Sequence, residues 1–108
     1  MRFVLLTLFC SLFYLPSAFG QSNDNGAISE LTSTANGEVV IKLDSDFPKA
    51  NADGQCAKDS DSAKIQESDK SLVKFALIAN AKKSNVVVGT KGCNSDGTLH
   101  VTYMYIYN

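Results

Sequence analysis

The chain has 108 residues, and its ten Lys and Arg against eleven Asp and Glu give a formal net charge of −1. This balance argues against nucleic acid and anionic lipid as partners, because both are bound through basic surfaces. One histidine and no tryptophan leave few groups for metal or nucleophilic chemistry.

Residues 1–20 have the parts of a secretory signal peptide. Met1-Arg2 carries a positive charge, an uncharged and mostly apolar run of 13 residues extends from Phe3 to Leu15, and small residues precede Gln21. The run is shorter than the roughly 20 residues with which a helix crosses a membrane, so a membrane anchor is the weaker interpretation. We expect cleavage before Gln21, a secreted or periplasmic location, and no membrane insertion of the remaining chain.

The cysteines of the remaining chain predict a disulfide. Removing 20 of the 108 residues leaves 88, which we expect to form a single domain, residues 21–108, with a marginal core. Cys10 leaves with the signal peptide, and an oxidising compartment favours pairing of Cys56 with Cys93. A reactive thiol and metal ligation are the alternatives. Two distant cysteines and one histidine do not make a zinc site, so we expect no metal and no cofactor.

A hairpin is predicted near the start of the domain. The polar stretch from Gln21 to Gly26 is expected to be a mobile terminus, followed by a first strand from Ala27 to Ala35. Asn36-Gly37 is typical of a type I′ hairpin turn. It leads to a second strand, Glu38 to Leu43, in which every second residue from Val39 shares one face.

The region from Asp44 to Ser60 is predicted to be a long loop that the disulfide could hold in place. Its acidic groups, Asp44-Ser45-Asp46 and Asp59-Ser60-Asp61, could gather ligands for a hard cation. Because the spacing does not fit an EF-hand, solvated turn residues are the better interpretation. A short third strand is predicted from Ala63 to Gln66.

A helix is predicted after the third strand. Ser68 stands at its N-cap, and Lys82-Lys83 lie at its end, where cations suit the helix dipole. Its main apolar face consists of Leu72, Phe75, Ala76 and Ala79. Leu77 and Ile78 fall outside that face. Their position predicts either that the helix is buried between the sheet and a loop, or that Leu77 and Ile78 form a subunit interface.

Two further strands complete the domain. Val86 to Val88 is a strand of the buried type, Thr90 to Thr98 is predicted to be a loop that carries Cys93, and a long β-rich strand runs from Leu99 to Tyr107.

The last strand carries the residues that could act on a ligand. Tyr103, Tyr105 and Tyr107 are predicted to share one face with Leu99 and Val101. Tyrosines on a sheet can stack on sugars or bases, so this is the candidate ligand face. The alternative is that these tyrosines only cap the fold or form an interface.

The single histidine is a weak catalytic candidate. His100 lies on the opposite face of the last strand, and no nucleophile motif such as G-x-S-x-G is present. We therefore predict no catalytic residue.

The element order is strand, strand, strand, helix, strand, strand. This is the order of the OB-fold. We predict a β-rich α+β domain, specifically a small OB-fold-like five-stranded barrel with one helix between strands 3 and 4 and one disulfide. A packed open α+β sheet is the alternative.

Two stretches resemble the binding subunit of subtilase-type AB5 toxins. They are Ile28-Ser29-Glu30-Leu31 followed by Gly37 to Lys42, and the succession of helix, strand and cysteine from Leu72 to Cys93. The later stretch also resembles a group of small secreted bacterial proteins of unknown role. The resemblance implies a secreted OB-fold that forms pentamers and binds sialylated glycans. A glycan-contacting serine of the toxin subunit matches a position near Asp24, whose charge would repel sialic acid, so that site is not carried over.

We therefore predict a non-enzymatic binding or assembly module. Its partner is an unknown glycan or protein, or a second copy of the chain. The alternatives are a small secreted hydrolase or enzyme inhibitor that uses His100 or the acidic loop, and an accessory protein of an envelope assembly.

Overall fold

The structure is a computed structural model that describes residues 21–107, so the predicted signal peptide lies outside the described residues. The strands of its sheet are β1 Ser22–Ser33, β2 Val39–Leu43, β3 Ala63–Ile65, β4 Asn85–Cys93 and β5 Leu99–Ile106. Its helices are α1 Pro48–Ala52 and α2 Lys70–Lys82. The predicted small β-rich fold with a helix between the third and fourth strands is confirmed, whereas α1 was not predicted.

The five strands pair in the order β1–β2–β3–β5–β4, and β4 pairs with β1, so the ring of pairings closes. The β3–β5 pair is parallel and the other pairs are antiparallel. β1 joins two neighbours because its first half pairs with β4 and its second half with β2. A register shift between Ile28 and Glu30 lies next to this change of partner.

The polar start of the domain is a strand, so the predicted mobile terminus is wrong. Residues 22–27 pair with β4. Asp24 is only 3% exposed, and its carboxylate accepts hydrogen bonds from the backbone N–H groups of Lys49 (2.8 Å) and Ala50 (3.1 Å). These are donors of the first turn of α1 that have no partner within the helix. Asp24 therefore holds α1 on β1, and its carboxylate is turned away from solvent.

The predicted hairpin at Asn36-Gly37 is confirmed, but its turn is not type I′. The N–H of Thr34 donates to the C=O of Glu38 at 2.9 Å, and the N–H of Gly37 donates to the C=O of Thr34 at 3.0 Å. Gly37 has a φ of 86°, whereas Asn36 is not among the residues with positive φ. The turn is therefore a three-residue loop that ends in a left-handed glycine.

The core fills the inside of the ring of strands. Val39, Ile41 and Leu43 are at most 2% exposed, which confirms the predicted inner face of β2. Phe47 is fully buried although its segment was predicted to be a loop. Its side chain and α1 attach this segment to the core, so the region from Asp44 to Ser60 is only partly a loop.

The predicted disulfide is confirmed. Cys56 and Cys93 are bonded, with their Cα atoms 5.0 Å apart and a sequence separation of 37 residues. β4 continues to Cys93, so the loop predicted to begin at Thr90 begins later. The bond fastens the segment after α1 to the end of β4, and it indicates an oxidising compartment.

Helix α2 packs one face on the core. Ala76 and Ala79 are buried, and Leu72 and Phe75 pack against the core cluster, as their spacing predicts. The N-cap is Asp69 and not Ser68, and it makes no side-chain capping hydrogen bond. Among residues 21–107, no helix is long and apolar enough to cross a membrane.

Candidate functional site

A bulge in β5 decides which way the tyrosines face. Val101 lies opposite Thr90 and Tyr103 lies opposite Gly89, so Thr102 is an extra residue in β5. Before the bulge Val101 is fully buried, and after it Met104 packs against the core. A one-residue shift moves the following side chains to the other face of a strand. The prediction that the tyrosines share a face with Leu99 and Val101 is therefore wrong.

Two tyrosine rings lie side by side on the outside of β5. The rings of Tyr103 and Tyr105 are nearly parallel, with an interplanar angle of 6° and centroids 6.2 Å apart. Tyr105 is 50% exposed, and Tyr103 is half-buried. Tyr107 is the next residue in the same alternation and is also half-buried. The pair of rings therefore presents an apolar surface to solvent.

Gly89 on β4 makes room for the Tyr103 ring. A Cβ atom at position 89 would overlap that ring, so the ring lies directly against the backbone of β4. On β1, the Asn23 Nδ2 atom donates to the Tyr103 hydroxyl at 3.3 Å. The Gln21 Nε2 atom donates to the Thr102 hydroxyl at 2.6 Å. Gly89 on β4 and Asn23 on β1 thus position the Tyr103 ring, and Gln21 binds the adjacent Thr102.

We name the outer surface formed by Gln21, Asn23, Thr102, Tyr103 and Tyr105 the tyrosine face. Its side chains are amides, a hydroxyl and aromatic rings, and none of the five carries a charge. Amide groups can donate to and accept from a hydroxyl, while the faces of the rings offer apolar contact. The arrangement can therefore bind a neutral ligand that has both hydroxyl groups and apolar surface.

β2 and β3 each carry a lysine whose side chain pairs with two carboxylates. The Lys42 Nζ atom lies 3.7 Å from a Glu30 carboxylate oxygen and 3.6 Å from one of Asp61. The Lys64 Nζ atom lies 3.6 Å from a Glu38 carboxylate oxygen and also pairs with Asp96. We name these six residues the charged ribbon.

The strongest of these ion pairs shifts the pKa values of both partners. Hydrogen bonds from Lys64 and then Thr98 lower the pKa of Asp96 to about 2. The hydrogen bond to Asp96 raises the pKa of Lys64. These shifts stabilise both charged forms, so the pair stays ionised at neutral pH.

The candidate interface on α2 is open to solvent. Leu77 and Ile78 are each 47% exposed, so the alternative in which a loop covers this side of the helix is wrong. Shallow grooves of about 330 and 340 Å³ run along their two sides. An interface at Leu77 and Ile78 remains a prediction.

His100 lies in the first half of β5. Its side chain is half-buried, and within residues 21–107 no hydrogen bond to a nucleophile or a carboxylate is found for it. Asp46, Asp59 and Asp61 line a shallow pocket of about 420 Å³. Within residues 21–107 there is no group of three or more His, Cys, Asp and Glu side chains that could hold a metal ion.

Comparison of the chain with models of known families, with curated proteins and with solved structures finds no match.

Sequence reasoning identified the tyrosines but missed the residues that position them. Gln21 and Asn23 lie in the stretch that was predicted to be mobile, because its polar composition is typical of a chain end. Gly89 carried a usable signal, since a glycine inside a strand often marks a close approach of another group to the backbone.

Proposed function

We propose that this protein is a non-enzymatic binding module of an oxidising, extracytoplasmic compartment, built on an OB-fold-like barrel. The closed strand order with a parallel β3–β5 pair, and a helix between the third and fourth strands, support the OB-fold. The disulfide supports the compartment. The resemblance to the binding subunit of subtilase-type AB5 toxins belongs to the same proposal, as a shared architecture without a shared glycan site.

The ligand in this proposal is a glycan that lies on the tyrosine face. The observation that carries it is the pair of nearly parallel rings of Tyr103 and Tyr105, of which Tyr105 is half exposed. A sugar ring has an apolar face that can pack on an aromatic ring, and hydroxyl groups that amides can bind. Asn23 already binds the Tyr103 hydroxyl, so the amide lies at the edge of the aromatic surface.

The absence of charge on the tyrosine face favours neutral sugars over sialylated ones. Specific recognition of a carboxylate ordinarily uses arginine or other charged donors. The five side chains of the face supply none. The lysines of the charged ribbon are already paired with carboxylates, so they do not offer a free cationic site elsewhere on the outside of the sheet.

Tyrosine fluorescence provides a direct test, because the chain has no tryptophan to mask it. Neutral and sialylated oligosaccharides are titrated into the purified, oxidised protein, and emission is followed. We expect saturable binding of a neutral sugar. Tyr105→Ala should weaken it by about two- to tenfold, since an aromatic contact is worth about 0.5–1.5 kcal/mol. Tyr105→Phe should retain most of the affinity, because it keeps the ring.

Leu77→Ala is the matched control, since Leu77 is about as exposed as Tyr105 but lies on α2. It should leave binding unchanged. Equal affinity of the Tyr105→Ala and unmodified proteins would show that the ligand binds elsewhere. Binding of sialylated sugars alone would contradict the neutral class, and failure of all sugars to bind would leave a protein ligand as the better hypothesis.

A further inference from the structure

Helix α2 is a cationic element on an acidic domain. Four of the nine lysines that follow residue 20 lie in the stretch from Lys70 to Lys83, and this stretch contains no Asp or Glu. The other five lysines share the rest of residues 21–107 with eleven carboxylates, a formal balance of −6. The small net charge of the chain therefore conceals an uneven distribution, with the positive charge gathered on one helix.

The lysines of α2 are open to a partner. Lys70, Lys74 and Lys82 are exposed, and so is Lys83 at the C-cap. Within residues 21–107, the ion pairs belong to the charged ribbon, and none of them involves a lysine of α2. An anionic partner can therefore use these four charges without first breaking an ion pair.

The exposed side of α2 has a ridge and two grooves. Lys70 and Lys74, one turn apart, line both of the shallow grooves on this side, so their row separates the grooves. Ile78 lines one groove and Leu77 lines the other, and each is 47% exposed. Among the residues that line these two grooves, Glu67 is the only carboxylate, and it lies before the helix begins. Each groove thus offers apolar surface beside a row of positive charge.

Charge disfavours two partners that the chain itself could supply. Two α2 helices that pack against each other about a twofold axis would bring the same lysines together, and like charges across an interface weaken it. Residues 1–20 carry Arg2 and no carboxylate, so that segment does not complement the helix either. The helix therefore calls for an anionic partner.

An anionic bilayer fits the charge of α2 but not its pattern. Leu77 and Ile78 lie on opposite sides of the row formed by Lys70 and Lys74. Sinking both apolar side chains into lipid would carry that row toward the hydrocarbon, where a charge is costly. A protein partner avoids this cost, because its carboxylates can meet the lysines while its apolar side chains enter the grooves.

We infer that α2 binds an acidic amphipathic helix of another protein. Apolar side chains of that helix lie in the grooves beside Leu77 and Ile78, and its carboxylates pair with Lys70, Lys74 and Lys82. Side-chain ridges that enter the grooves of a facing helix are the ordinary mode of helix packing. The 13 residues of α2 give a contact about 20 Å long at 1.5 Å per residue. The inference does not depend on a glycan, because the tyrosine face lies on β1 and β5.

A synthetic peptide tests the inference on the oxidised protein. The probe has about 20 residues, long enough to form a helix in water, with Leu and one Trp on one face and Glu at the flanking positions. Since the protein has no tryptophan, the emission of the peptide can be followed alone. We expect saturable binding with a blue shift of that emission, and weaker binding as salt is added. The same peptide with Lys for Glu should not bind, and one with Ser for Leu and a dye for detection should bind much more weakly.

Two pairs of variants locate the peptide on α2. Lys74→Glu should weaken binding about five- to tenfold, because an attraction becomes a repulsion. Lys91→Glu, at an exposed position of β4, is its matched control and should not weaken binding. Ile78→Ser should weaken binding about tenfold, as the loss of an apolar contact at the centre of an interface does. Ile106→Ser is the second control, since Ile106 has the same side chain at 42% exposure on β5. Circular dichroism checks that each variant keeps the fold.

Several results would overturn the inference. The acidic peptide could fail to bind, or could bind no better than its Lys counterpart. Equal affinity of Lys74→Glu, Ile78→Ser and the unmodified protein would place the peptide elsewhere. Binding to phosphatidylglycerol vesicles but not to the peptide, lost in the same two variants, would assign α2 to a membrane surface. Self-association in light scattering that both variants abolish would assign it to contact between copies of the chain.

Discussion

The tyrosine face and the charged ribbon lie on the outside of the same small sheet, yet they use their side chains in opposite ways. In the charged ribbon each lysine lies between two carboxylates. Those charges are satisfied within the protein. On the tyrosine face the Tyr103 hydroxyl is held by Asn23, but half of the Tyr105 side chain is open to solvent. The difference indicates where a ligand could gain contacts without first breaking existing ones.

The comparison also bears on how OB-folds bind. Their ligands ordinarily lie on the second and third strands and the adjoining loops. Here Lys42 on β2 and Lys64 on β3 are engaged in ion pairs. The aromatic surface is instead on β5, beside β4 and β1. If the proposed OB-fold and the proposed glycan binding are both correct, this chain uses a different part of that fold for recognition.

Removing the disulfide should have the largest effect, and it should affect both surfaces together. Cys56 and Cys93 close a loop of about 37 residues, for which the chain-entropy model gives a loss of about 4 kcal/mol. We expect the Cys56→Ser, Cys93→Ser double variant to unfold at much lower denaturant concentration, with tyrosine fluorescence and far-UV circular dichroism changing in one transition. Reduction of the unmodified protein is the control and should give the same result. Two separate transitions would show that the surfaces do not share one core.

Gly89→Ala should damage the tyrosine face selectively. The added Cβ overlaps the Tyr103 ring, so the ring must leave the backbone of β4. Overpacking of this kind costs about 1–3 kcal/mol. We expect a lower free energy of unfolding, a changed near-UV circular dichroism spectrum, and weaker binding of any glycan that uses the paired rings.

A double-mutant cycle provides the control for that prediction. Tyr103→Ala removes the ring, so adding Gly89→Ala in that background should cost much less than it does in the unmodified protein. An equal cost in both backgrounds would mean that the added Cβ is harmful for a reason other than its overlap with the Tyr103 ring.

The parts of the fold that sequence reasoning predicted are those in which one local rule decides the outcome. The alternation of Val39, Ile41 and Leu43 predicts a half-buried strand, and only one cysteine pair remains after Cys10. The apolar face of α2 follows from its spacing. In these cases tertiary contacts agree with the local pattern.

The missed parts depend on partners that are distant in sequence. Asp24 is buried because the N–H groups of α1 meet it, and nothing near Asp24 in the sequence predicts that contact. The bulge at Thr102 has no residue signature of its own, yet it reverses the faces of all following residues. That is why the tyrosines were found but placed on the wrong side of β5.

The smallest expected effect is the pH dependence of the charged ribbon. The pKa of Asp96 is lowered from 3.8 to about 2, chiefly by the hydrogen bond from Lys64. A carboxylate with a lowered pKa stabilises the fold above the unfolded-state pKa, and this contribution is lost as the pH falls from about 4 to about 2. Because the Asp96 side chain is 46% exposed, solvent screening should keep the contribution below about 1 kcal/mol.

Asp96→Asn removes this titration, so the free energy of unfolding should fall less between pH 5 and pH 2 in the variant than in the unmodified protein. Denaturant unfolding at the two pH values measures the difference. Asp59→Asn, at an exposed position outside the ion pairs, is the control and should show the full pH dependence. The hydrogen bond from Ser62, followed by the charge of Lys42, also lowers the pKa of Asp61, so part of the dependence should remain in Asp96→Asn.

If Asp96→Asn and the unmodified protein lose the same stability, the Lys64–Asp96 pair contributes nothing to the fold. The part of the charged ribbon around Lys64 and Asp96 would then behave as an ordinary solvated surface. If glycan binding stays constant over the part of this range in which the protein remains folded, the tyrosine face works independently of those charges.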